Sequence, residues 1–282
     1  MDARRFFLDN VQTQHPRTSI HTNISWQRLK GKFGSEGGIM PSKAGVVQFS
    51  PVYGSVGPNL DRLETLVAEG VRQGAQLLVL PEMAWTGYLW PDATTIRPLA
   101  EAAGWGRGQD RVAAWARRWQ ITLVFGFPEA DGPRLYNSQG CVGPDGIPRA
   151  VYRKTHLFEA DPWWAEPGDT GYLRWDTPWG AVGSGICMDL NYPDLVEYHR
   201  AAGTPILAFS TNWLDQDADV IPYWEERLAG VEGRSFEGTA LFANRGGAEF
   251  GIRYRGQSAI FHRGRVMASL PGKDDGVLVV PL

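Results

Sequence analysis

Apolar and polar positions recur along this chain in two different periods. From 58 to 74, PNLDRLETLVAEGVRQG brings Leu60, Leu63, Leu66, Val67 and Val71 to one face, with Pro58 opening the stretch and Gly74 closing it. That spacing predicts an amphipathic helix. The next stretch, 76-QLLVLPE-82, is apolar without alternation, which predicts a strand covered on both faces and ending in Pro-Glu. The same grammar predicts helices near 107–119, around 193–202 and near 219–237. Strands are expected at 45–50, 121–127, 138–143, 149–154, 181–187, 205–210, 239–244, 256–261 and 276–280. About eleven strands exceed a comfortable single open sheet, so the economical α/β layout is two sheets packed face to face with helices outside. The sequence contains no internal repeat and no low-complexity block.

The first 39 residues are polar, lack either period and end in KFGSEGGI. They are expected to form a poorly packed extension or leader to a domain spanning 40–282, with Met40 as the expected natural start. Within the 282 residues, 43% hydrophobic and 21% charged content fits an ordinary globular protein of one domain. A formal charge of −3 supplies no basic face for nucleic acid or an anionic membrane. There is no apolar run of membrane-spanning length and no signal-like start, so the expected setting is cytoplasmic and the expected partner a small molecule.

Two cysteines, Cys141 and Cys187, lack CxxC spacing and must be judged separately. The five histidines show no ligand spacing, so neither a metal nor another cofactor is expected.

Three polar residues stand where buried strands end: Glu82 in LPEMAWTGY, Lys154 in YRKTHLF and Cys187 in GSGICMD. Sites in α/β proteins assemble at strand C-termini. Taken singly, each has a bland reading: a capping or solvated glutamate, a solvated lysine, a cysteine used as a small core hydrophobe. As a set they make chemical sense. A thiolate attacks; an ammonium favours it and, with the backbone N–H of Met188, can hold an oxyanion; one carboxylate can accept and return the proton. Neither histidine nor metal is required.

These motifs resemble the nitrilase, or carbon–nitrogen hydrolase, superfamily, whose signature is a glutamate, a lysine and a cysteine in that order. LLVLPEMAWTGY, YNSQGCVGPDGIPRAVYRKTHLF and GSGICMDLNYPD are similar to its three motifs, and STNW, RSFEGTALFANRGG and GQSAIF to later segments, over roughly residues 45–280. The resemblance implies a four-layer α-β-β-α sandwich of two mixed sheets with helices outside, assembled as a homodimer or higher homo-oligomer. It implies hydrolysis of a non-peptide C–N bond through an acyl-enzyme. Glu82 then maps to the general base and acid, Lys154 to the oxyanion stabiliser and Cys187 to the nucleophile, with His156 as structural support.

Two departures from the family pattern matter. Where many members carry a second glutamate shortly after the lysine, this chain has RKTHLFEAD, which places Asp161 there with Glu159 as a rival. Where members acting on carboxylate-bearing substrates often have arginine after the cysteine, this chain has Cys187-Met188-Asp189-Leu190-Asn191. A bidentate carboxylate clamp is thus missing from that position, so a neutral or aromatic amide is the expected substrate. Met188, Tyr88, Trp85, Trp213 and Asn191 are the expected substrate-binding residues.

The favoured activity is cleavage of a small amide to a carboxylic acid and ammonia or an amine. A nitrilase forming a thioimidate, an N-carbamoyl hydrolase, a silent binding or scaffold member, and a thiol amidotransferase using His199 or His262 are the alternatives.

Overall fold

The computed structural model describes residues 42–178 and 180–282. The extension expected over 1–39, and Met40, lie outside them. The strands are β1 (Lys43–Gln48), β2 (Leu77–Val79), β3 (Thr122–Asp131), β4 (Arg134–Val142), β5 (Pro148–Arg153), β6 (Arg174–Thr177), β7 (Gly180–Ile186), β8 (Ile206–Thr211), β9 (Thr239–Asn244), β10 (Ala248–Glu249), β11 (Ile252–Arg253), β12 (Ala259–His262), β13 (Arg265–Ser269) and β14 (Gly276–Pro281). The helices are α1 (Val56–Arg72), α2 (Ala93–Ile96), α3 (Arg107–Trp119), α4 (Pro193–Ala201) and α5 (Ile221–Leu228).

Helix α1 buries Leu60, Leu63 and Val67, the face set by the sequence period. Pro58 lies in its first turn, where no N–H is needed. Helix α5 ends at Leu228, well short of 237, because Gly230 takes a left-handed φ of 66° and redirects the chain. Strands β6 and β13 were not expected. Both lie at sheet edges: β6 is four residues long and buries only Trp175, and β13 is largely exposed, so neither carries a sustained two-residue period.

Two six-stranded mixed sheets result, ordered β14-β1-β2-β3-β4-β5 and β13-β12-β9-β8-β7-β6. Read from β14 and from β6, both follow one pairing series: antiparallel, parallel, parallel, antiparallel, antiparallel. The sheets therefore repeat one architecture that leaves no repeat in the sequence.

Apolar residues separate into layers. Val46, Val79, Val124, Val182, Ile206 and Leu241 pack between the sheets. Leu60, Leu63, Val112 and Trp115 pack α1 and α3 on the first sheet, while Leu195, Trp224 and Leu228 pack α4 and α5 on the second. This is the α-β-β-α sandwich. A polar bridge crosses its centre: Gln139 Nε2 on β4 donates to Ser210 Oγ at 2.9 Å and to the Gly185 carbonyl at 3.2 Å, and Ser210 Oγ donates to the Leu80 carbonyl at 2.8 Å. It ties together the strand ends that carry Glu82 and Cys187. No helix of the described residues is long and apolar enough to cross a membrane.

Candidate active site

Glu82 leaves β2 through a turn in which Met83 takes a positive φ of 50°. The turn lies flat on β3, where a Cβ on Gly126 would come within 2.5 Å of the Glu82 Cα, so only glycine fits there. The Gly126 N–H donates to the Pro81 carbonyl at 3.1 Å and the Ala84 N–H to the Gly126 carbonyl at 2.9 Å, fixing the entry of the carboxylate.

Lys154 follows β5 directly, and its N–H donates to the Asn137 carbonyl at 2.8 Å. Its ammonium donates to Glu82 Oε1 at 2.8 Å and to Asp161 Oδ2 at 2.6 Å, with all three side chains fully buried. Asn137 completes the group: its Nδ2 donates to Glu82 Oε1 at 2.7 Å and reaches Asp161 Oδ1 at 3.2 Å. The Phe158 N–H donates to Asp161 Oδ2 at 2.8 Å. Asp161 therefore sits against the lysine, while Glu159 is exposed. Two carboxylates face one ammonium. Burial is the main influence pushing the Glu82 carboxyl up, and the Asp161 charge adds to it against the opposing pull of Lys154.

Cys187 follows β7 directly and takes a φ of 41°, a left-handed conformation that a non-glycine residue holds only when its surroundings enforce it. Asp189 enforces it. Its Oδ2 accepts from the Ile186 N–H at 3.0 Å and the Tyr152 hydroxyl at 2.7 Å, and its Oδ1 from the His156 N–H at 2.8 Å. Burial and the Glu82 charge push the Cys187 thiol well up, with Lys154 acting in the opposite sense. The resting group is a thiol close enough to the Glu82–Lys154 pair to feel both charges. Cys141, between the sheets, is also pushed up by burial, to about 12.

Above Cys187 opens a cavity of about 280 Å³, at the small end for ligand pockets. Met188, Asn191 and Trp213 line it, together with Phe158, Asn212 and Tyr223, which sequence reasoning missed. Asn191 is locked, its Oδ1 accepting from the Tyr223 hydroxyl at 2.6 Å and its Nδ2 lying 3.0 Å from Met188 Sδ. Tyr88 is not a lining residue. It lies deeper, its ring centroid 5.7 Å from Lys154 Nζ, and its loop is pinned by Tyr88 and Leu89 N–H groups donating to the buried Glu249.

Trp85, expected at the pocket, is instead core: it packs on Phe125 and Phe127 against Gly108 of α3, on the face of the first sheet turned away from the cavity. Its size and apolar surface are used under the helix layer. Asn137 also went unnoticed in the sequence, although a polar Asn-Ser-Gln run inside a strand buried from Leu135 to Val142 is a signal of polar work at that spot.

None of the histidines contacts Cys187 among the described residues. His156 lies 3.1 Å from Asp194 and stacks on Tyr192, and His199 bonds the Ser184 carbonyl at 2.8 Å from inside the core. His262 pairs with the Thr239 hydroxyl at 3.2 Å. No group of three or more potential metal ligands occurs among the described residues.

The fold is of the α/β class, a two-sheet sandwich that sets a cysteine at one strand end and a buried lysine–carboxylate cluster at two others. The chain belongs to the carbon–nitrogen hydrolase family, whose model matches residues 43–282. It is 32% identical over 218 residues to a nitrilase of Pyrococcus abyssi, covering 77% of this chain and 80% of the relative. It is 28% identical over 280 residues to the protein N-terminal amidase of Schizosaccharomyces pombe, covering 84% and 98%. The crystal structure of an amidase from Nesterenkonia sp. superposes with a TM-score of 0.75 at 25% identity, covering 87% of this chain and 91% of that one. The protein is thus a carbon–nitrogen hydrolase of the nitrilase superfamily, with the amidase-type fold.

Proposed function

We propose that the protein hydrolyses small amides, with Cys187 as nucleophile, Glu82 as general base and acid, and Lys154 as oxyanion stabiliser. One observation carries the reading. Glu82 Oε1 is held by Lys154 and Asn137, whereas Oε2 is buried with no hydrogen-bond partner among the described residues. A buried carboxylate oxygen left unmatched is costly, and its cost is explained if it receives a proton during turnover.

The steps follow from the charges. Because burial keeps Cys187 protonated at rest, its proton passes to Glu82 as Sγ attacks the amide carbon. Burial raises the basicity of Glu82, which suits a base working near neutrality. The tetrahedral oxyanion lies against the Lys154 ammonium, whose side chain is fully buried, and the Met188 N–H. Glu82 then returns the proton to the leaving nitrogen, and ammonia or an amine departs from the thioester. A water, deprotonated by Glu82, attacks the thioester and frees the acid and the thiol. Asp161 and Asn137 keep Lys154 and Glu82 in register.

Ammonia release from a panel of short aliphatic and aromatic amides, nitriles and carbamoyl compounds tests this. Turnover of amides above nitriles and carbamoyl compounds, abolished by Cys187→Ala, is expected. Turnover of nitriles alone, or undiminished amide turnover in Cys187→Ala, overturns it.

A further inference from the structure

The cavity above Cys187 has one acidic side chain on its wall, the solvent-exposed carboxylate of Asp219. None of the described residues lining it is lysine or arginine, and Asp219 is its only acid. Asp219 lies in 214-LDQDADV-220, where three aspartates meet different company. Asp215 is paired with Lys273, with Arg255 at 3.2 Å and with Arg253 at 3.8 Å, and Asp217 is paired with Arg253 at 2.8 Å. Asp219 pairs with no cation among the described residues. Its Oδ1 accepts from the Ile221 N–H at 3.0 Å and from Gln257 Nε2 at 3.2 Å, and these neutral donors fix its orientation without cancelling its charge. Its Oδ2 receives no hydrogen bond from the described residues.

The remaining walls carry aromatic surface and, among the described residues, no lysine or arginine. Trp213 and Tyr223, with ring centroids 5.4 Å apart, line the same cavity as Cys187 and Asp219, and such aromatic surface attracts ammonium and guanidinium groups. Arg227 lies 4.7 Å from the Tyr223 ring but is not among the lining residues. The place where an arginine would clamp a carboxylate holds Asn191, whose carboxamide is taken up by Tyr223 and Met188.

Resting on the amide-hydrolase reading, we propose that the favoured substrates are small amides whose far end bears an alkylammonium or guanidinium group, with Asp219 as its counter-ion. Amides ending in a carboxylate are disfavoured by the same charge.

Three amides of near-equal length separate the possibilities: γ-aminobutyramide, pentanamide and succinamate. The wild type is expected to favour the ammonium compound over pentanamide by about fivefold in kcat/KM, the upper range for a partly solvated ion pair, and to use succinamate least. Asp219→Asn should bring the ammonium-to-neutral ratio close to one, chiefly through KM, and high salt should shrink the wild-type ratio. A wild-type preference for pentanamide, or a ratio unchanged in Asp219→Asn, overturns the proposal.

If none of the amides is turned over, the amide-hydrolase reading fails, and calorimetric titration of Cys187→Ala with the same compounds still reads the charge selection. Tighter ammonium binding that Asp219→Asn abolishes upholds it; equal binding of the ammonium and neutral compounds overturns it.

Discussion

Lys154 and Asp161 form an ion pair of 2.6 Å between two fully buried side chains, seven residues apart in sequence and joined by a turn that folds back on itself. The turn is closed by the Phe158 N–H donating to the same Asp161 oxygen at 2.8 Å. Aspartate, one methylene shorter than glutamate, reaches the ammonium because the loop sits close. The pair leaves Lys154 balanced between two carboxylates.

Asp161→Asn should therefore change the pH profile as well as the rate. The Asp161 charge raises the Glu82 carboxyl, and removing it also leaves Lys154 more fully to Glu82, so both effects lower that carboxyl. Because the base must be ionised to act, the acid limb of kcat/KM is expected to move to lower pH, with the plateau reduced by about tenfold or more. An acid limb that stays in place would remove Asp161 from the account.

Asn137→Leu removes the two carboxylate-directed hydrogen bonds without emptying the site. Hydrogen bonds to charged groups are worth about 1.5–3 kcal/mol each, and their loss leaves buried carboxylate oxygens unmatched. A fall of about 2 kcal/mol in urea-unfolding free energy is expected. Because Asn137 does not line the cavity, kcat should drop far more than KM changes. An unchanged kcat would show that the Glu82–Lys154 geometry does not depend on it.

His199 supplies a pH test of the fold alone. Burial among α4, Ser184 and Thr204 lowers its imidazole to about 4, against 6.5 for an ordinary histidine. A depressed histidine is neutral in the fold and charges in the unfolded chain first, so the stability it contributes is full above about pH 6.5 and is lost as pH falls towards 4. His199→Gln should abolish this dependence. The wild type is expected to lose about 3 kcal/mol relative to the variant between pH 7 and 4, measured by urea unfolding at each pH. A constant difference across that range would contradict it. Amide turnover at neutral pH is expected to survive the change, since His199 does not touch Cys187.

Much of the fold was legible because its long elements carry strong periods. The buried face of α1 and the apolar runs of β2, β3 and β8 announce themselves, and α3 begins and ends where its pattern does. The edge strands β6 and β13 were not legible: one side of each faces solvent, so composition there is unconstrained.

In the candidate site, Glu82, Lys154 and Cys187 were singled out as a chemically sensible set at three strand ends, and Asp161 only through the family resemblance. Trp85 could not be assigned, because a tryptophan filling a core and one lining a pocket look the same in sequence. Asn137 and Asp219 escaped for a different reason. Asn137 acts on Glu82, 55 residues away, and Asp219 reaches the cavity wall in a loop braced by Gln257, 38 residues away, and only the folded chain brings these together.

The central claim is that the acyl group passes through Cys187. The direct measurement is peptide mass spectrometry after acid quench of the wild type and of Glu82→Gln mixed with a p-nitrophenyl ester of a short acyl chain, an acyl donor whose leaving group needs no proton from Glu82. The peptide containing Cys187 is expected to carry the acyl mass in the wild type and, in Glu82→Gln, to gain it more slowly for want of a base and to lose it more slowly once formed, because the water that clears the thioester is no longer activated. Acylation of a different residue, or steady hydrolysis with no acyl group on Cys187 in either protein, would contradict the account.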